Sequence, residues 1–222
     1  MSPTSLPSAD RVTSGNPIPF AQTVVFDLGG VLVDWNPRHL YRALFADDPA
    51  AMERFLGEIC TEAWHRKHDS GVSFAENAAD LIRRHPGHAD MIRAWGARFD
   101  AMIPGPIAGT VAILEQLAAR GVPLYAVTNW PGEHFPTARV RFPFFSRFRD
   151  IAVSGVERIA KPDPGIWRVL FARNALDPKE CVYIDDVAAN VEAAARLGMT
   201  ALHFTDPAGL AADLSRLGLL QG

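Results

Sequence analysis

Val24-Val25-Phe26-Asp27-Leu28-Gly29-Gly30-Val31-Leu32-Val33 is the stretch from which the fold of this chain is read. Apolar residues run up to a carboxylate, two glycines follow, and apolar residues resume. A short apolar run bounded by turn residues reads as a buried strand. An unpaired charge is too costly to bury, so Asp27 marks the point where the strand leaves the sheet. Gly29 and Gly30 let backbone and ligand come close to it.

Outward from this strand the pattern changes twice. After Asp34-Trp35-Asn36-Pro37, helical spacing holds as far as Pro104. Pro37 suits a first helical turn, and Leu40, Tyr41, Leu44 and Phe45 form one stripe. A second helix is expected from Asp48-Pro49, carrying Met52, Phe55, Leu56 and Ile59. Ser73-Phe74-Ala75-Glu76 has the form of a capping box opening a third, and Asp90 to Met102 reads as a fourth. Connections within α/β units run to about 2–6 residues, so residues 35–104 are expected to be an inserted four-helix cap beside the strand's carboxyl end. From Ile107 helices and strands alternate, with strands at 122–128, 150–154, 181–184 and 200–204 and helices closed by Gly121 and Gly198. Alternation of this kind implies a parallel sheet with helices on both faces. The expected fold class is α/β: a doubly wound, Rossmann-like parallel sheet in residues 21–34 and 105–222, with the helical cap domain at 35–104.

At 222 residues, 48% hydrophobic and 21% charged, the chain is long enough to bury a proper core. A formal charge of −3 gives no long-range attraction to nucleic acid or an anionic membrane, and Arg83, Arg84, Arg139 and Arg141 are too scattered for a nucleic-acid surface. Cys60 and Cys181 lie far apart without metal-ligand spacing, which fits a reducing compartment and neither a disulfide scaffold nor a zinc site. Residues 1–20, rich in Ser, Pro, Thr and Gly, read as a disordered tail rather than a signal peptide. No apolar segment reaches membrane-spanning length, so the expected location is the cytoplasm, with no membrane partner and a monomer or homodimer as the assembly.

Four places put a polar or charged group at or just beyond a strand: Asp27, Thr128-Asn129, Lys161 and Asp185-Asp186. In open parallel sheets ligands bind outside the carboxyl ends of the strands. If the strands of Asp27 and Asp186 are neighbours, about 4.8 Å apart, the carboxylates converge. Without a cation they repel, and at least one holds a proton. A hard divalent cation such as Mg2+, which keeps several waters and takes one or two carboxylates, resolves this. Thr128 and Lys161 then offer a hydroxyl and a positive charge to phosphoryl oxygens.

Asp27-Leu28-Gly29-Gly30-Val31-Leu32, Val127-Thr128-Asn129, Lys161-Pro162-Asp163-Pro164 and Ile184-Asp185-Asp186-Val187-Ala188-Ala189-Asn190 resemble, in order, the four motifs of the haloacid dehalogenase-like hydrolase superfamily. The resemblance covers about residues 22–205, and the helical insertion resembles that family's small α-helical cap. It implies Asp27 as the nucleophile of an aspartyl-phosphate intermediate, Thr128 as a phosphate contact beside Asn129, and Lys161 as the neutralising charge. It implies Mg2+ held by Asp27, the Gly29 carbonyl, Asp186 and Asp185, directly or through water, with Asn190 in support. The implied activity is Mg2+-dependent hydrolysis of a small phosphorylated metabolite, sugar phosphates included.

The departure is at Gly29, where phosphatases of this family carry a second Asp as general acid–base. Such help is worth about 10²–10⁴-fold. Either the substrate has a good leaving group, a cap residue substitutes, or turnover is slow. Two alternatives stay open: a metal-free 2-haloacid dehalogenase using the same Asp27, against which the Asp185-Asp186 pair argues, and a phospho-ligand binder that has lost turnover. Trp35, Arg38 and Trp130 are candidate substrate contacts beside the glycines, and His134 a further pocket wall. His65, His68 and Asp69 are expected in a solvated charged turn, with replacement of the missing acid as the second reading. Phe142, Phe144, Phe145 and Phe148 are expected to pack under the sheet.

Overall fold

The computed structural model describes residues 23–46 and 48–221; the expected N-terminal tail lies outside the described residues. Five strands form one parallel sheet: β1 (Thr23–Phe26), β2 (Leu124–Thr128), β3 (Asp150–Val153), β4 (Cys181–Asp185) and β5 (Thr200–His203), in the order β3-β2-β1-β4-β5. The strand quoted first is the central one, fully buried because both faces of the sheet are covered. Alternation along the strands sorts the core into two layers. Val24 and Phe26 pack with Val182 and Ile184 on one side, while Val25 packs with Tyr183 and Trp167 on the other. The phenylalanine run is divided as its spacing dictates, with Phe142, Phe145 and Phe148 buried and Phe148 against Phe26, ring centroids 6.1 Å apart.

Between β1 and the core's first helix the chain forms a helical insertion. Its helices are α1 (Pro37–Leu44), α2 (Pro49–Arg54), which runs on into a π turn, α3 (Glu62–Asp69), α4 (Phe74–Arg84) and α5 (Ala89–Ala97). Asn36, Asp48 and Ser73 cap α1, α2 and α4 through their side-chain oxygens, as their positions before the apolar stripes require. The insertion has five α-helices among the described residues, not the expected four: α3 occupies the segment expected as a polar turn. The fourth expected helix is also cut short, α5 ending at Ala97 and a 3-10 turn covering Phe99–Met102. The insertion leaves and rejoins through a paired stem, where the amide of Asp34 donates to Gly105 (3.0 Å) and that of Ile107 to Leu32 (2.9 Å).

The core continues with α6 (Ala108–Ala119), α7 (Phe135–Arg141), the single turn α8 (Ser154–Glu157), α9 (Gly165–Asn174), α10 (Ala188–Arg196) and α11 (Pro207–Arg216). Residues of α6 and α11 join the layer of Phe26, and those of α9 and α10 the layer of Val25, so the sheet is covered on both faces. Among the described residues no helix is long and apolar enough to cross a membrane, and Cys60 and Cys181 are buried free thiols.

Candidate active site

Strand register brings the acids together. Phe26 pairs with Ile184 across β1 and β4, and the Asp27 amide donates to the Ile184 carbonyl at 2.8 Å, so Asp27 and Asp185 leave the sheet side by side. Asp186 follows one residue on, and oxygens of Asp27, Asp185 and Asp186 lie within 4.8 Å of one another. The Lys161 ammonium sits between two of them, 2.8 Å from Asp27 Oδ2 and 2.7 Å from Asp185 Oδ2. Burial alone would favour the neutral amine, but Asp27 and Asp185 more than offset it and raise the Lys161 pKa. Its backbone is also held, since Asn129 accepts from the Lys161 amide (2.8 Å) and donates to its carbonyl (3.1 Å).

The adjacent aspartates do different work. Asp185 is fully buried and accepts from Lys161, the Tyr183 hydroxyl, the Val187 amide (2.8 Å) and Asn190 Nδ2 (3.0 and 3.1 Å). Burial opposes its ionisation, but Lys161 and these donors outweigh it and hold its pKa below the usual range. Asp186 is exposed and lies on the cavity. Burial of its carboxyl and the charge of Asp185 raise its pKa. Its neighbour across the turn is Gly30, at φ +74°, where a Cβ would stand 2.7 Å from Asp186 Cγ. Glycine is required there both for the left-handed backbone and for the space. The Gly30 amide donates to Val33 at 2.9 Å, so it is spent on the turn rather than offered to a phosphate.

The donor set fits a hard divalent cation. Three carboxylates face one ammonium, and burial together with Asp185 and Asp186 pushes the Asp27 carboxyl up to about 8 against the pull of Lys161. These oxygen donors, close together beside a single ammonium, are of the type Mg2+ takes.

Above this floor opens a cavity of about 450 Å3. Trp35, Trp130, Asn129 and Asn190 line it with Asp27, Gly29, Gly30 and Lys161, while Glu62, His65, Arg66, Asp69 and Phe99 close it from the insertion. Three expected contacts are not on its wall. Arg38 is turned outward, its Nε and Nη2 each donating to Glu53 at 2.6 Å. A cation on the exposed face of α1 is satisfied by the acid beside it and does not reach the floor. Thr128 is buried at the end of β2, and His134 stacks on Phe99 at 4.7 Å.

Residues 21–198 match the profile of the family described as haloacid dehalogenase-like hydrolase. The chain belongs to this family. Among relatives of this hydrolase, a sesquiterpene phosphatase of Aspergillus oryzae is 26% identical over 196 residues, covering 88% of this chain and 96% of that protein. A validoxylamine A 7'-phosphate phosphatase of Streptomyces hygroscopicus is 23% identical, covering 83% of this chain and 85% of its own. The fold of the hydrolase is also that of a Bacteroides thetaiotaomicron enzyme of the same family, solved in complex with magnesium and inorganic phosphate. The TM-score is 0.64 at 22% identity, over 83% of this chain and 94% of that one.

Sequence reading missed that helix α3 of this hydrolase turns His65, His68 and Asp69 inward. Trp64, His65, His68 and Asp69 are buried, the first three against Trp95, Phe74 and Phe99. The signal was there in its caps: Thr61 accepts from the Trp64 amide (3.1 Å), Glu62 opens the first turn, Arg66 and Lys67 close the last, and Gly71 at φ +88° stops it. The inward face carries two histidines and an aspartate, so hydrophobic periodicity does not register it.

Proposed function

We propose that this hydrolase cleaves a phosphomonoester of a small molecule in the presence of Mg2+, through an aspartyl-phosphate on Asp27. One observation carries this reading: three carboxylates gathered around a single buried lysine at the floor of a cavity. One Asp27 oxygen is fixed by the Leu28 amide (2.7 Å) and the other by Lys161, so the nucleophile is oriented before substrate arrives. Lys161 offsets charge on the nucleophile and the transferring phosphoryl group, and Asn129 holds Lys161 in place. Asp27, Asp186 and the Gly29 carbonyl are the residues assigned to Mg2+, with Asp185 and Asn190 behind them orienting Lys161. When bound, the ion supplies charge stabilisation to the phosphoryl oxygens. A metal-free dehalogenation leaves the gathered carboxylates without a purpose.

The insertion over residues 35–104 acts as a cap whose closure excludes water. The cavity volume falls in the usual range for small-molecule sites. Trp35, Phe99 and Trp130 give it aromatic faces, on which a sugar ring or a hydrocarbon chain packs. The A. oryzae relative, a sesquiterpene phosphatase by name, makes prenyl phosphates a class to include beside sugar phosphates. The test is phosphate release from p-nitrophenyl phosphate and a panel of alkyl phosphates, with Mg2+ and with chelator. Release that needs Mg2+ and disappears in Asp27→Asn supports the reading. Phosphate binding without turnover favours a binding protein, and halide release from 2-haloacids in chelator favours a dehalogenase.

A further inference from the structure

The proposed reaction lacks a proton donor on the core. An alkoxide leaving phosphorus needs a proton, and Gly29 has no side chain to give one. The insertion brings Glu62, His65, Arg66 and Asp69 to the cavity wall. Exposed Glu62 is paired with Arg66, whose Nε donates to it at 3.2 Å. That leaves three buried ionisable side chains on α3: His65, His68 and Asp69. Two are consumed. His68 Nε2 faces the Asn77 amide nitrogen (3.1 Å), which only donates, so the ring proton is on Nδ1 against the Val72 carbonyl (3.2 Å). In the same way Trp95 Nε1 donates to His65 Nδ1 (3.2 Å), which places the proton of the neutral ring on Nε2. Burial holds the His65 pKa down to about 3, so at neutral pH it is an uncharged imidazole, a poor acid.

Asp69 differs from both. It lines the same cavity as Asp27 and Lys161, is 5% exposed, and its Oδ1 has no hydrogen-bond partner among the described residues. His65 Nε2 stands 3.7 Å from that oxygen, too far for a hydrogen bond, and a neutral imidazole makes no ion pair. We propose that Asp69 is the general acid–base of the reaction, standing in from the cap for the side chain that Gly29 lacks. The inference rests on the phosphatase reading. Asp27 forms a bond to phosphorus as the ester P–O bond breaks, and the leaving oxygen takes the Asp69 proton to depart as an alcohol. The Asp69 carboxylate then takes a proton from water as the water oxygen bonds to phosphorus and the P–O bond to Asp27 breaks. Phosphate leaves, and both carboxyl groups return to their starting states. The groups acting on Asp69 agree with this cycle. Burial raises its pKa to about 7, with Lys161 and Arg66 pulling down, Glu62 pushing up and His65 uncharged. It therefore carries a proton near neutrality and can release it.

The test compares leaving groups in a first turnover of the full chain with Mg2+. With p-nitrophenyl phosphate, whose leaving group needs no acid, Asp69→Asn is expected to keep nitrophenolate release within about threefold of the parent. With an alkyl phosphate that the parent turns over, release is expected to slow by about 10²–10⁴-fold. The parent's alkyl-phosphate rate falls above pH 7, and in Asp69→Asn that limb disappears. Asp69→Glu, which keeps a proton, restores part of the alkyl rate, and Asp69→Ala shows the same split as Asn. Equal losses on both substrates, or no loss on the alkyl ester, overturn the assignment. Nitrophenolate release undiminished in Asp27→Asn instead brings down the phosphatase reading, and the role of Asp69 with it.

Discussion

Asp185 and Asp186 are neighbours in sequence and chemically identical, yet replacing each with asparagine is expected to have opposite consequences. Asp185 is fully buried and accepts from Lys161, Tyr183, Val187 and Asn190. Whichever way an asparagine amide is turned, its NH2 group faces donors already pointing at it, and Lys161 loses one of two counter-charges. Removing one member of a buried ion pair costs about 3–5 kcal/mol, a large part of a typical domain's roughly 5–15 kcal/mol. Asp186 is exposed, and its ionised form is disfavoured by burial of the carboxyl and by Asp185. Neutralising it in chelator is expected to change stability by no more than about 0.5 kcal/mol. What Asp186→Asn loses is the response to the ion, which for the parent at a hundred times Kd is about 2.7 kcal/mol. Urea unfolding of the parent and both variants, in chelator and in Mg2+, measures all four quantities. A cost below about 1 kcal/mol for Asp185→Asn, or a full Mg2+ response in Asp186→Asn, refutes the division of labour.

Gly30→Ala forces a left-handed backbone on a residue with a Cβ, worth about 1–2 kcal/mol, and drives that Cβ against Asp186. Thermal melting is expected to show this loss and at least a tenfold weaker Mg2+ midpoint, and an unchanged midpoint would be evidence against the site. Arg38→Ala removes only a solvent-exposed pair with Glu53, worth about 0–1 kcal/mol. Its kcat/KM is expected to stay within about twofold of the parent, and a tenfold rise in KM for a phosphate ester would return Arg38 to the cavity. Asp69 has its pKa raised from 3.8 to about 7, so the folded chain holds a proton that the unfolded chain releases, and stability falls as pH rises between those values. Asp69→Asn escapes this cost. Its advantage over the parent in chelator is expected to widen by roughly 2–3 kcal/mol between pH 5 and pH 8, and denaturant midpoints at the two pH values check the sign.

The floor of the site was legible because sheet geometry is. A buried apolar strand ending in a carboxylate fixes where Asp27 emerges, and a parallel neighbour ending in two more fixes where three carboxylates meet. Alternation along β4 even tells the two acids apart. Asp185 shares a strand face with Tyr183, whose hydroxyl it accepts from, while Asp186 falls beyond the last ladder position. The wall was less legible. Arg38 looked functional by proximity in sequence, but the helix start at Pro37 turns it toward Glu53, fifteen residues on. Helix α3 looked solvated by composition, yet its two histidines face inward because partners from other elements wait there: Trp95 for His65, Asn77 for His68. Those partners lie up to thirty residues away, beyond the reach of any local periodicity.

The distribution of roles between core and insertion has a mechanical consequence. The proposed nucleophile and the acids stand at or just past the ends of β1 and β4 in the sheet, set side by side by their register, and Lys161 reaches them from the turn before α9. The proposed proton donor stands on α3, tied to that sheet only through contacts that span the two units. They include the paired stem at Asp34 and Gly105, the amide of Phe74 on Glu133 (2.8 Å), Arg141 on the Asp100 carbonyl (2.8 Å), and Phe99 stacked on His134. In a site whose acid sits on the same turn as the nucleophile, proton transfer is available whether or not the cap is seated. Here the glycine at position 29 removes that independence. On the proposed assignment of Asp69, the leaving group is protonated only when the insertion is down on the core, the arrangement in which it would also exclude bulk water. On that assignment closure would gate the chemistry itself as well as which ester enters.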